Sequence, residues 1–218
     1  MSRIFPECSD TSEHAAEIAT AAAVAVLPKA LRAGDRAPGF KLPDLQGKVI
    51  SLETALQTGP VVLNFLRGAW CGFGESSLAQ LANSYERILD AGATAFAVAP
   101  PSQAPAVRLP LPIPELIDAQ MKVARAFGLA FELPEALRSR YIALGYTPPK
   151  SRKPDSFLAP IQATYLIDQH GVIVLAHVDA DYRRPLDNEA LLGALRGMRS
   201  RTRSREQAVK AKSYWRLK

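Results

Sequence analysis

Cys71 stands in a glycine-rich turn, RGAWCGFGE at 67–75, between an apolar, β-branched run, PVVLNFL at 60–66, and a helix-like stretch. In that stretch, SSLAQLANSYERILDAG, the residues Leu78, Leu81, Tyr85, Ile88 and Leu89 recur at helical spacing up to Gly92. A cysteine in the turn that opens a helix lies near unpaired backbone N–H groups and the positive end of the macrodipole, which both favour thiolate over thiol. The expectation is a Cys71 pKa below the free value of about 8.5. Arg67, four residues upstream, adds positive potential, and Trp70 can wall off solvent on one side. The plainer reading is a small buried thiol that only packs.

Cys8 is the other cysteine of the 218 residues. Two cysteines cannot build a secreted disulfide scaffold, so thiol chemistry in a reducing compartment fits better. His14, His170 and His177 are isolated, with no second ligand at metal spacing, and no glycine motif for phosphate or nucleophile elbow is present. No metal and no cofactor are expected. MSRIFPECSDTSEH lacks the basic-then-apolar order of a secretory signal, and the apolar stretch from Ala15 to Leu27 contains Glu17 and is too short for a bilayer. A cytoplasmic protein without membrane contact is the expectation.

Charge is unevenly placed. The chain carries +6 overall, yet residues 196–218 hold nine Lys or Arg against Glu206 alone, which leaves about −2 for the rest. The body therefore offers no basic groove and nucleic acid is not an expected partner, although the tail has the charge to touch a polyanion.

The elements needed to place Cys71 follow from pattern. AAEIATAAAVAVLPKALRA, after Thr11, Ser12 and Glu13, reads as a helical arm stopped by Gly34 and Pro38. DRAPGFKLPDLQGKVISL at 35–52 reads as a short hairpin around Gly47. PVVLNFL is the central strand, and TAFAVAP at 94–100 a second buried strand joined to it by a right-handed β-α-β crossover. Six prolines between Pro100 and Pro114 make a surface loop. Helices are expected at 121–129 and 134–146, each ending at a glycine. QATYLID and VIVLAHV form an antiparallel hairpin with His170 in its turn. Asp179, Asp181, Arg183 and Arg184 then make a charged loop that is solvated or borders a partner, and DNEALLGALRGMR is the last helix.

GDRAPGFKLPDLQGKVISL, VVLNFLRGAWCGF, VARAFGLAFELPEALR, ATYLIDQHGVI and AHVDADYRRPLDNEALLGAL together resemble the alkyl hydroperoxide reductase and thiol-specific antioxidant family, in its peroxiredoxin-like branch. The resemblance runs over roughly residues 34–195. It implies an α/β, thioredoxin-like fold with a central mixed sheet flanked by helices. The expected organisation is an N-terminal helical arm at 1–33, the domain at 34–198 and a basic tail at 199–218. It also implies reduction of hydroperoxides or disulfides by a cysteine, recycled by a thioredoxin-like or small-thiol reductant.

Two departures fall at the working residues. The branch's turn reads Trp-Cys-Pro-Tyr-Cys, whereas here Gly74 replaces the second cysteine, and Gln162 replaces the cis-proline that faces the cysteine pair. A non-proline cis bond costs ~3 kcal/mol, so a trans peptide and a reshaped substrate edge are expected at Gln162. The resemblance leaves two functions open. In one, Cys71 is the redox centre, supported by Arg67 and Trp70, with Cys8 as resolving thiol in cis or across a homodimer, or an external thiol instead. In the other, the module has lost catalysis and binds another protein.

Overall fold

The computed structural model describes residues 13–68, 71–101, 112–149 and 156–215, with backbone alone for residues 13–14, 72, 74–75 and 202–215. Helix α1, Glu13–Val24, places Ala15, Ala19 and Ala23 at i, i+4 and i+8, and all three are buried with Ala16. The helix does not run on to Gly34. Pro28 cannot donate a backbone bond, and Leu27–Lys29 forms a single 3-10 turn instead. The hairpin at 35–52 is present as β1, Lys41–Pro43, and β2, Val49–Ser51, closed by Asp44, whose carboxylate accepts from the amides of Gln46 and Lys48. A short helix α2, Leu52–Thr58, follows.

Strand β3, Val61–Phe65, has every residue buried, which explains its unbroken apolar, β-branched character. After α3, Gly72–Asn83, and α4, Tyr85–Asp90, comes β4, Thr94–Ala99, parallel to β3. The expected single helix after Cys71 is two, because the chain breaks at Ser84. That break shifts the helical phase, so Ile88 stays buried while Leu89, placed on the same stripe from sequence, is 40% exposed. Strand β5, Glu115–Ile117, pairs parallel to β4 at the end of the proline-rich segment. Sequence patterning missed it, because Pro112 and Pro114 mark an interruption just where this edge strand starts.

Helix α5, Lys122–Ala126, and α6, Glu135–Ala143, match the two short helices read from sequence, ending near Gly128 and Gly145, both left-handed. Strands β6, Ala130–Glu132, and β7, Leu158–Pro160, form a separate two-stranded ribbon that pattern alone did not reveal. The hairpin of β8, Ala163–Ile167, and β9, Ile173–Val178, is as expected, with Asp168 and Gly171 in its turn. Helix α7 runs over Asn188–Trp215. The basic segment after residue 199, read as a tail, thus continues a helix whose last described buried residue is Met198.

The main sheet has the order β5-β4-β3-β8-β9, so β3 is central. Alternation along β3 splits the core in two. Val61, Leu63 and Phe65 face a cluster with α1, α5 and α6, where Phe65 lies 4.9 Å from Phe127 and 6.0 Å from Tyr165 between ring centroids. Val62 faces the other way, toward Leu78 and Leu81 of α3, Ile88 of α4, and Leu191, Leu192 and Leu195 of α7. The carboxyl end of β3 therefore points its chain into a space between fixed layers, the place an open α/β sheet offers for a site.

Candidate active site at the β3–α3 turn

Beyond Phe65 the chain passes through Leu66, Arg67 and Gly68 before α3 begins. Gly68 has φ 112°, a left-handed conformation that a side chain would strain, and its carbonyl accepts from the Cys71 amide at 3.1 Å. Cys71 is the N-cap residue of α3, with extended backbone angles (φ −112°, ψ 114°), and its side chain is fully buried. The expected address is met. The sulfur belongs to the residue that opens a helix of 12 residues, at its positive end.

Arg67 turns inward and is 2% exposed. Its Nη2 donates a short hydrogen bond to the hydroxyl of Tyr141, its guanidinium carbon stacks 3.7 Å from the ring centroid of Tyr182, and the Tyr141 ring lies at 5.2 Å. Burial by itself would lower the pKa of such a cation. Attraction to Cys71, Tyr141 and Tyr182, with a hydrogen bond to Tyr182, outweighs it and holds the group above its ordinary value. Arg67 is therefore a permanent buried charge. Of the three groups that act on it, a thiol and two phenols, the thiol is the one with the lowest ordinary pKa.

The two tyrosines come from distant elements. Tyr141 projects from α6 and is fully buried, its ring 6.2 Å from that of Tyr146. Tyr146 is itself buried, its hydroxyl near the Met121 sulfur at 3.5 Å and donating to the Leu158 carbonyl, and burial pushes its pKa up. Tyr182 belongs to the loop after β9. Its ring meets Phe73, in the first turn of α3, edge-on at 5.4 Å. The charged loop expected to be solvated thus turns its aromatic residue inward, and Asp181, 8% exposed, pairs with Arg183 at 2.7 Å and Arg184 at 3.5 Å.

Gln162 immediately precedes β8, whose Ala163 pairs with Phe65, so it is level with the exit of β3. Its peptide bond is trans, its side chain is 7% exposed, and its Oε1 has no hydrogen-bond partner among the described residues. On the face of the sheet turned away from Phe65, Thr164 and Asn64 pair at 3.4 Å and Asn64 reaches Ser77 at 3.3 Å, beside a cavity of about 10 Å³ that suits one water. Gly74 lies in the first turn of α3. Cys8 and Trp70 fall outside the described residues.

Sequence reasoning named Arg67 and Cys71 as site candidates but did not single out Tyr141, Tyr182 or Phe73. Tyr141 reads as ordinary core spacing in a helix. A single aromatic residue inside DADYRR was the one available signal for Tyr182. Among the described residues, no three His, Cys, Asp or Glu gather to hold a metal, and no helix is long and apolar enough to cross a membrane. His170 sits in the exposed β8–β9 turn, and His177 Nε2 lies 3.0 Å from the Arg184 carbonyl.

The sequence profile of the AhpC/TSA family matches residues 33–176. The chain belongs to the AhpC/TSA family. Members of this family are thiol-dependent antioxidant oxidoreductases of thioredoxin-like fold, and solved structures agree on the fold. Peroxidoxin BcpB from Mycobacterium tuberculosis is 20% identical with a TM-score of 0.54, covering 77% of this chain and 97% of its own. Peroxiredoxin Q from Xanthomonas campestris is 17% identical with a TM-score of 0.54, covering 73% of this chain and 91% of its own. The reduced 2-Cys peroxiredoxin of Plasmodium vivax is 13% identical with a TM-score of 0.58, covering 79% and 84%. Comparison with curated proteins gives no significant match.

Proposed function

We propose that this AhpC/TSA chain reduces hydroperoxides through Cys71, with residues 34–198 as the working domain. The observation that supports the reading is the buried Arg67 cation, which is within electrostatic reach of Cys71, the N-cap residue of α3. The Cys71 sulfur attacks one oxygen of the hydroperoxide, the O–O bond breaks, and the sulfur takes up one oxygen as sulfenic acid. The other oxygen leaves as alkoxide and takes the proton given up by the thiol, so Cys–SH and ROOH become Cys–SOH and ROH. A second thiol then expels water to form a disulfide, and a further thiol restores Cys71. Cys8, in cis or from a second copy, a small thiol or a thioredoxin-like protein supplies these electrons. Two cysteines with no disulfide scaffold suit a reducing compartment, the cytoplasm.

Arg67 supplies a donor for the oxygen that gathers charge, and Gln162, next to the Ala163–Phe65 pair, carries an acceptor without a partner among the described residues. Two observations favour the rival reading, a binding module without turnover. Cys71 has no exposed surface, and Gly74 stands where the branch carries its second cysteine. Consumption of hydrogen peroxide and cumene hydroperoxide by the reduced protein, with dithiothreitol or thioredoxin, decides between them. Turnover that disappears in Cys71→Ser is the expected result. Equal, background-level consumption by the two proteins would leave the binding module as the function.

A further inference from the structure

Full burial of Cys71 means that something must move before any reagent reaches it. Most of what surrounds it is fixed. Strand β3 is paired on both sides, to β4 and β8, and α3 is held through Leu78 and Leu81 in the core. Among the described residues, 179–186, between β9 and α7, lie outside strand and helix, although Ala180 and Tyr182 are buried against one core cluster and Leu186 packs against the other. This segment carries Tyr182, the residue that joins the two halves of the site, stacked on Arg67 at one face and against Phe73 at its edge. Phe73 is two residues beyond Cys71, so one ring spans from the exit of β3 to the first turn of α3.

Several hydrogen bonds of the segment are local. Asp181 accepts from the Arg183 amide and guanidinium, the Asp181 amide donates to Asp179, and the Arg184 amide donates to the Asp181 carbonyl. Local pairs of this kind keep a turn compact while it moves as a unit. It is tied to its surroundings by the contact of His177 with the Arg184 carbonyl, by Asp187, which accepts from the amides of Ala190 and Leu191 at the start of α7, and by the packing of Tyr182 and Leu186.

We propose that the 179–186 segment is the movable cover of the Cys71 site, with Tyr182 as the residue that seats it and positions Arg67. Closed, the ring fills the space above the guanidinium and shields the sulfur. Open, it frees that face of Arg67, and a hydroperoxide takes the place of the ring. The proposal rests on the same site as the peroxidase reading, but its test does not need turnover.

On a Cys8→Ser background, the rate of Cys71 alkylation by iodoacetamide is compared with that of the urea-unfolded chain. Tyr182→Ala should raise the native rate at least tenfold, and Tyr182→Phe, which keeps the stacked ring, should stay within about threefold of the parent. Loss of Tyr182 also loosens Arg67 and so weakens the nucleophile, which means that a rise reports access. An unchanged rate in Tyr182→Ala overturns the proposal. Hydrogen exchange on the unaltered protein gives a second, variant-free reading. Amides at 180–186 should open far more readily than those of β3, and at the frequency inferred from alkylation. Equal protection of the two segments also overturns the cover. Readier alkylation without peroxide consumption keeps the cover and removes the peroxidase reading, whereas turnover indifferent to Tyr182→Ala does the reverse.

Discussion

The guanidinium of Arg67 and the ring of Tyr182 stack at 3.7 Å, joining the exit of the central strand to a loop that follows the last strand of the sheet. The pair fixes the plane of the arginine, and a cation so held can favour developing negative charge without reorganising.

Arg67→Gln removes the charge that acts on Cys71 while keeping a polar side chain. The rate constant for hydroperoxide reduction should fall about a hundredfold or more, the usual effect of losing one preorganised electrostatic group. The pH at which Cys71 becomes reactive toward an alkylating agent should move upward, since the cation favours the thiolate. Arg67→Lys, with the charge but without the planar stack, should fall between. Stopped-flow kinetics over a pH series gives both readings, and an unshifted pH profile in Arg67→Gln would show that Arg67 does not act on the sulfur.

Gly128 sits at φ 72°, where a Cβ would lie 2.1 Å from the Lys29 carbonyl oxygen. Both atoms belong to backbone, so neither yields easily. Gly128→Ala should lower stability by about 3 kcal/mol or more, whereas Gly39→Ala, with open space around it, should stay within about 0.5 kcal/mol. Urea midpoints at constant slope would check the contrast.

Asp118 accepts from the Ala124 amide at 2.8 Å at the start of α5, and burial, opposed by its backbone hydrogen bonds, holds its pKa above the ordinary 3.8. A raised carboxyl keeps its proton longer in the folded protein than in the unfolded one. Its contribution therefore favours the fold below the unfolded value and is lost as pH rises through the folded one. Asp118→Asn removes that dependence, so the variant's Tm should gain on the parent's between pH 3.5 and pH 7. A difference that stays flat over this window would mean that the carboxyl is not perturbed.

Truncation after Arg201 removes the basic end of α7 and leaves Leu191, Leu192, Leu195 and Met198 in place. Tm should change by no more than a few degrees, because little described burial is lost. Salt-sensitive affinity for heparin or DNA, measured by anisotropy, should fall with the lost charge. An unfolded truncate would show instead that the distal helix is packed structure.

What was legible in the sequence followed local periodicity. Residues 61–65 declared a buried strand through β-branched side chains, and Arg67 and Cys71 were found because strand, glycine turn and helix are adjacent in the chain. Tyr141 and Tyr182 were not, because their meeting with Arg67 depends on how α6 and a loop fold back over the sheet. The break at Ser84 and the edge strand after Pro114 escaped for a related reason: tertiary packing decided each against its local signal.

Because the charged centre is assembled from residues 67, 141 and 182, it has a history in folding time. A chain still being synthesised can form the β3–α3–β4 unit with Arg67 and Cys71 in place long before Tyr182 exists. In that interval the thiol lacks both its aromatic neighbour and its shield. Protection of the sulfur against stray oxidants is therefore a property of the finished molecule, acquired only when the last third of the polypeptide has closed over the first.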